Sequence, residues 1–321
     1  MSQQEIVKLK QAVSAKIVGQ QGLIERLLIA ILADGHLLVE GAPGLAKTRA
    51  IKVLGESIEG DFHRVQFTPD LLPADLTGTE IYRPQDGSFK FQRGPLFHNL
   101  ILADEINRAP AKVQSALLEA MAERQITVGS ETYPLPEIFL VMATQNPLEQ
   151  EGTYPLPEAQ LDRFLMHVRV DYPDRDDEKA ILALTREEAR SQQRALPGAT
   201  TAISQQSLLE ARDAVLDIHL DDSLEDYIIE IALATRSASR YGDELGSWIQ
   251  HGASPRATMA IDRCARAYAW LNNRDYVVPE DIQLIAPDVL RHRIILSFEA
   301  EAEGKTADSC IDEVLARVAV P

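Results

Sequence analysis

Gly41-Ala42-Pro43-Gly44-Leu45-Ala46-Lys47-Thr48 fits, in a slightly altered form, the G-x-x-x-x-G-K-[ST] pattern of a phosphate-binding loop, carried by Gly41, Gly44, Lys47 and Thr48. Glycines let a backbone approach a polyphosphate closely, and successive N–H groups at a helix start supply an anion site. Lys47 is suited to reach the β- and γ-phosphates as a point charge, and the Thr48 hydroxyl to ligate Mg²⁺. The contact set expected for a nucleoside triphosphate runs from Gly41 through Ala42, Pro43, Gly44, Leu45, Ala46, Lys47 and Thr48 to Arg49. The alternative, an ordinary Gly/Pro turn, is weakened by its flanks. His36–Glu40 reads as a buried strand and the run from Lys47 to about Ser57 as a helix.

Two further strand ends carry polar groups. Leu100-Ile101-Leu102-Ala103-Asp104-Glu105 is an apolar run ending in paired carboxylates, which in a parallel sheet would face the ligand crevice. Asp104 suits the Mg²⁺ water shell, and Glu105 the general base that polarises an attacking water. Val141-Met142-Ala143-Thr144-Gln145-Asn146 ends in an amide that could reach the γ-phosphate or that water without adding charge beside Glu105. A solvated strand end and an Asn-Pro turn are the plainer readings of these two segments.

These groups need a scaffold. Near-continuous apolar strands (36–40, 62–67, 99–104, 138–143, 164–170) alternate with helices (47–57, 111–124), which predicts a parallel sheet covered on both faces. An amphipathic helix around Ile24–Leu32 precedes them. Segments 80–91, with its Gln85-Asp86-Gly87 turn, and 125–133, around Gly129-Ser130, read as β-hairpins inserted outside the main sheet. From about Asp176 the period turns helical, with helices at 208–216, 224–236, 258–271 and 279–290, where Pro255 and Pro279 sit at helix starts. The expected organisation is an α/β nucleotide-binding domain over 1–190, a polar connector over 191–204 and a smaller all-helical domain over 205–321.

Composition narrows the class. The chain has 321 residues, a formal net charge of −17, 45% hydrophobic and 25% charged residues and two cysteines, Cys264 and Cys310. That charge argues against gripping nucleic acid through its phosphates. Two cysteines make no disulfide framework, and with no apolar leader or membrane-length run the expectation is a cytoplasmic protein with free thiols. His36, entering the loop, reads as a packed neighbour, and Ser254 as a helix cap. Phe89 and Phe91 could grip another protein or pack on their own domain.

Three motif strings carry a family resemblance. Asp104-Glu105-Ile106-Asn107-Arg108-Ala109-Pro110, Ala143-Thr144-Gln145-Asn146-Pro147 and the run from Gly152 to Phe164, which includes Leu161-Asp162-Arg163-Phe164, closely resemble the MoxR family of AAA+ ATPases. The match extends from Ile17-Val18-Gly19-Gln20 into the C-terminal part. The resemblance implies that Lys47 and Thr48 belong to Walker A, Asp104 and Glu105 to Walker B, and Asn146 to sensor 1. Arg163 then matches the arginine offered to a neighbouring subunit's nucleotide, and Arg256, in Ser254-Pro255-Arg256-Ala257-Thr258, matches sensor 2 on the lid. Arg108 could serve the interface or cap the following helix. The hairpins match elements that line or approach the pore of a ring, usually a hexamer. The family further implies ATP and Mg²⁺, chaperone-like maturation of a client, and a von Willebrand factor A domain partner. A DNA motor, a metal-chelatase motor subunit and a nucleotide switch with little turnover are the competing expectations; the charge disfavours the first and Glu105 the last.

Overall fold

The computed structural model describes residues 2–85, 87–147, 152–191 and 202–321. Asp86, in the expected hairpin turn, and most of the expected connector lie outside them. Contacts divide the chain into two compact units. The first comprises Met1–Leu156 with Val168–Leu209, and the second Pro157–His167 with Glu210–Pro321.

The first unit is built on a five-stranded sheet of β1 (Leu37–Gly41), β2 (Phe62–Gln66), β5 (Leu100–Asp104), β8 (Leu140–Gln145) and β9 (Met166–Val170, of which the part from Val168 lies in this unit), in the order β2-β5-β8-β1-β9. β2 with β5, β5 with β8 and β8 with β1 all pair parallel. Every residue of β5 is buried, as the unbroken apolar run requires of a strand covered on both faces. Each large aliphatic side chain taken out of water there contributes about 1.5–3 kcal/mol.

Helices α1 (Ser2–Lys16), α2 (Gln21–Leu32), α3 (Lys47–Glu56), α4 (Pro73–Thr77) and α5 (Ala111–Glu123) belong to this unit, as do α7 (Arg175–Ser191) and the start of α8 (Gln205–Leu216). α1 was not among the expected helices. Its buried Ile6, Leu9, Val13 and, just beyond it, Ile17 recur at helical spacing and pack it on α2 and α3.

Both inserted hairpins form outside the main sheet. β3 (Gly78–Arg83) pairs antiparallel with β4 (Ser88–Arg93), and β6 (Gln125–Val128) with β7 (Glu131–Pro134). Gly78 and Gly94 face each other at the base of the first. A Cβ on Gly94 would lie 2.3 Å from the Leu76 carbonyl, so only glycine admits that approach. The stacked rings of Phe91 and Tyr133, 4.3 Å between centroids, tie the two hairpins together, whereas Phe89 is exposed.

The second unit holds α6 (Glu158–Leu161), the body of α8, α9 (Asp222–Arg236), α10 (Asp243–Trp248), α11 (Pro255–Leu271), α12 (Pro279–Leu290), α13 (Phe298–Ala302) and α14 (Ala307–Arg317). α9, α11, α12 and α14 pack around a core that includes Ile228, Ile231, Ile261, Ile285, Val289 and Ile311. Besides its helices the unit has a short pairing of β10 (Ile249–His251) with β11 (Ile295–Leu296) and a bridge between His219 and Tyr276. Cys264 and Cys310 are buried free thiols.

Candidate nucleotide site

The sheet order brings three polar strand ends side by side. β1 runs into the glycine loop, β5 ends at Asp104, and β8 reaches Gln145, which lies opposite Glu40. Gly41 opens the loop where its α-hydrogen meets β9, since a Cβ would stand 2.7 Å from the Val170 carbonyl. Ala46 occupies the place of the second motif glycine yet still adopts φ +57°, the left-handed conformation such loops need. For an alanine that costs roughly 1–2 kcal/mol. α3 begins at once with Lys47 and Thr48, so its first N–H groups open onto the loop.

Lys47 turns back and donates to the Gly41 carbonyl. Burial lowers its pKa, while the carboxylates of Asp104, Glu105 and Glu40 oppose that shift. The lysine therefore sits in the field of both strand-end acids.

Asp104 is buried and engaged on both oxygens. Thr144 donates its hydroxyl to Oδ1 at 2.6 Å, and Arg64 donates to Oδ2 from Nε at 3.1 Å and from its terminal nitrogen at 2.6 Å. The Glu105 N–H donates to the Thr144 hydroxyl at 2.9 Å, so one threonine positions both acids. Glu105 is itself held at φ +58°. Its Oε2 accepts from Gln66 Nε2 at 2.6 Å and pairs with Arg108 Nε at 3.0 Å. Arg108, left open between interface and cap, thus lies on the Glu105 carboxylate. Asn146 is buried immediately past β8.

The turn after Glu105 is pinned by Gln114, fully buried on α5. Its amide donates to the carbonyls of Ile106, Ala109 and Tyr154 at 3.2, 3.1 and 3.1 Å. His36 is the packed neighbour expected. It accepts from the Val141 N–H on Nδ1, faces the Met121 carbonyl with Nε2 and meets Phe139 edge-on.

Arg163 and Arg256 belong to the second unit. Arg163 directly follows Asp162, the residue on which several groups of that unit converge. Ser254, the N-cap of α11, donates to both Asp162 oxygens at 3.0 and 2.9 Å and accepts from the Arg256 N–H. Arg256 reaches Asp162 Oδ2 at 3.5 Å, and Arg293 Nε reaches Oδ1 at 2.8 Å.

Residues 36–166 match the ATPase family associated with various cellular activities (AAA), and 247–314 match the AAA lid domain. The chain is 45% identical to Chaperone MoxR1 of Mycobacterium tuberculosis over 95% of its own length and 79% of that protein. It is 32% identical to Protein MoxR of Paracoccus denitrificans, covering 97% of itself and 94% of the relative. The chain belongs to the MoxR family of AAA ATPases. A Cytophaga hutchinsonii protein of known crystal structure superposes on this MoxR-type ATPase with a TM-score of 0.91, at 49% identity, covering 100% of one chain and 96% of the other. Fold, nucleotide binding and ATP hydrolysis follow from that membership.

The glycine loop, Asp104 and Asn146 stand at strand ends, where their spacing put them. Thr144, Arg64 and Gln66 were not singled out. Each lies one strand away from the acid it serves, and only the order β2-β5-β8 puts it there.

Proposed function

We propose that this ATPase works as a ring, of six subunits on the family's pattern, in which Mg²⁺-dependent ATP hydrolysis drives chaperone-like remodelling or maturation of a partner protein. The observation that carries the reading is the junction of Asp104 and Glu105 with the glycine loop, Lys47 standing in the field of both acids. In the proposed division of labour, Gly41 to Ala46 and Arg49 cradle the phosphates and Lys47 balances the β- and γ-charge. Glu105 takes the proton of the attacking water, and Asn146 orients that water or the γ-phosphate. Arg256 senses the γ-phosphate from the lid, and Arg163 serves a neighbouring subunit's nucleotide. The domain division that goes with this is 1–190 for the nucleotide domain, 191–204 for a connector and 205–321 for the lid.

The donor set suits Mg²⁺: a threonine hydroxyl on Thr48 and a carboxylate on Asp104 are the hard oxygen ligands that ion takes. Asp104 Oδ2 already carries a cation, the Arg64 guanidinium at 2.6 Å, so the position is built for positive charge. Thr48 and Asp104 would hold the ion, which would supply positive charge to offset what develops on the phosphate oxygens. Thr144 holds Oδ1 and so aims the aspartate independently of what lies on Oδ2.

A von Willebrand factor A domain protein is the proposed adaptor and a separate enzyme or complex the client. The name Chaperone MoxR1 of the mycobacterial relative supports that direction. The test is Glu105→Gln purified with ATP and Mg²⁺. It should retain ATP and turn over at least about 100-fold more slowly, the usual worth of a general base, and it should hold a von Willebrand-type protein or client in stoichiometric amount. Turnover within threefold of the parent would remove Glu105 from its role. Nucleic acid recovered in place of protein would shift the function to a nucleic-acid motor.

A further inference from the structure

The short segment that carries Arg163 is chemically part of the second unit. Pro157–His167 groups with Glu210–Pro321, and its backbone is bound by the consecutive residues Arg291, His292 and Arg293 that follow α12. Arg293 is the centre of this arrangement, with a side chain 2% exposed. A guanidinium has five N–H donors in a fixed fork, and here each has an acceptor. Nε serves Asp162 Oδ1 at 2.8 Å. One terminal nitrogen serves the Asp162 carbonyl at 3.2 Å and the Phe164 carbonyl at 2.6 Å, and the other serves the Leu165 carbonyl at 3.2 Å and the Val289 carbonyl. His292 Nε2 reaches the Phe164 carbonyl at 3.2 Å as well, and Arg291 donates to the His167 carbonyl. The residues on both sides of Arg163 are therefore held through their main-chain carbonyls.

We infer that Arg293 is the positioning residue for Arg163. By clamping Asp162, Phe164 and Leu165 to the end of α12, it makes the arginine offered to a neighbour move as one piece with the lid that carries Arg256. The inference rests on Arg163 acting across the subunit boundary, as proposed above. Arg256 is not the anchor: it is half exposed and 3.5 Å from Asp162, whereas Arg293 and Ser254 hold the same carboxylate at 2.8 to 3.0 Å. Asp162 thus keeps its geometry when Arg256 turns to a phosphate. The coupling has a direction as well. A lid movement in one subunit displaces an arginine that serves the next, and a misplacement of about 1 Å in such a group costs on the order of 100-fold in rate.

The alternative is that Arg293 only stabilises the fold of its unit, and mixed assemblies separate the two. Lys47→Ala subunits keep Arg163 but lose productive nucleotide binding, and Arg163→Ala subunits keep nucleotide but lack the arginine. Mixing them should restore ATPase activity that neither has alone. Arg293→Lys retains the charge but not the planar fork. Placed in the Lys47→Ala partner, it should lower the recovered kcat at least about tenfold with the KM for ATP unchanged. Placed in the Arg163→Ala partner, it should change kcat less than twofold. Ser254→Ala, which removes only one donor to Asp162, should show the same asymmetry at about threefold and covers the case in which Arg293→Lys folds poorly. Equal losses in both placements, or none in either, would overturn the positioning role. If the parental pair recovers nothing, Arg163 does not act in trans, and that result is distinct because it appears before Arg293 is altered.

Discussion

Two residues of the proposed site sit in backbone conformations that ordinary L-residues avoid: Ala46 at φ +57° and Glu105 at φ +58°. Strain of this kind persists only where the surroundings over-determine it, and at Glu105 the surroundings are explicit. Its N–H is on Thr144, and its carboxylate lies between Gln66 and Arg108. In the proposed role of base, a carboxylate whose Oε2 already accepts from an amide and a guanidinium is less free to meet water than an open one. The Gln66 bond is exposed, so its worth is discounted to about 1 kcal/mol from the usual range for a charged acceptor. Gln66→Ala should therefore raise basal kcat about fivefold, the equivalent of that energy, with little change in the KM for ATP. Steady-state ATPase kinetics read this directly, and a fall in kcat would mean that Gln66 aims Glu105 at water and does not restrain it. Lys47, Thr48, Asp104 and Glu105 could be picked out as candidates because each belongs to a contiguous motif defined by local spacing. Gln66 and Arg64 could not, because they are 39 and 40 residues from their carboxylates.

At the level of elements, sequence reading worked where period and punctuation agree. The apolar runs became the strands of the sheet, and the turn glycines became hairpins. Strand order was the missing quantity: β5 neighbours β2 and β8 only through crossovers, and no local pattern carries that. α1 was overlooked although Ile6, Leu9 and Val13 have helical spacing, because its polar residues break the run and its face becomes apolar only against α2 and α3. The turn that ends α12 was illegible for another reason, since its buried polar groups are matched by carbonyls more than a hundred residues earlier. That turn makes its own prediction. Burial pushes the His292 pKa well below 6.5, with Arg293, His167 and Arg291 adding repulsion and the Phe164 carbonyl opposing it. The unfolded chain therefore binds a proton at a pH where the folded unit does not, so stability is full above about pH 6.5 and falls as pH drops below it. Thermal unfolding followed from pH 8 to pH 5 should show a larger loss of Tm for the parent than for His292→Gln, which offers a donor that cannot charge. Parallel curves for the two proteins would place the acid sensitivity elsewhere.

At the scale of the whole molecule, a formal charge of −17 meets the proposal that copies of the chain assemble to complete one another's sites. An arginine supplied from a neighbour is worth roughly 10³–10⁵ in rate, so activity per subunit should climb steeply with protein concentration until rings are complete. Like-charged copies repel before any contact forms. That repulsion reaches about 30 Å at roughly 0.01 M salt and about 8 Å at roughly 0.15 M. Raising salt across this range should therefore lower the concentration at which specific activity is half-maximal. Close ion pairs at an interface would be screened in the opposite sense, yet exposed pairs contribute only about 0–1 kcal/mol, and the long-range repulsion of two such acidic bodies should prevail. A machine working on nucleic acid would respond the other way, since its grip weakens steeply with salt. Specific ATPase activity against protein concentration, at both ionic strengths and with and without added DNA, thus tests assembly and class together. A concentration profile that is flat at both salts would mean that each subunit hydrolyses ATP with its own residues. Arg163 would then have to be read as a residue that serves only its own chain.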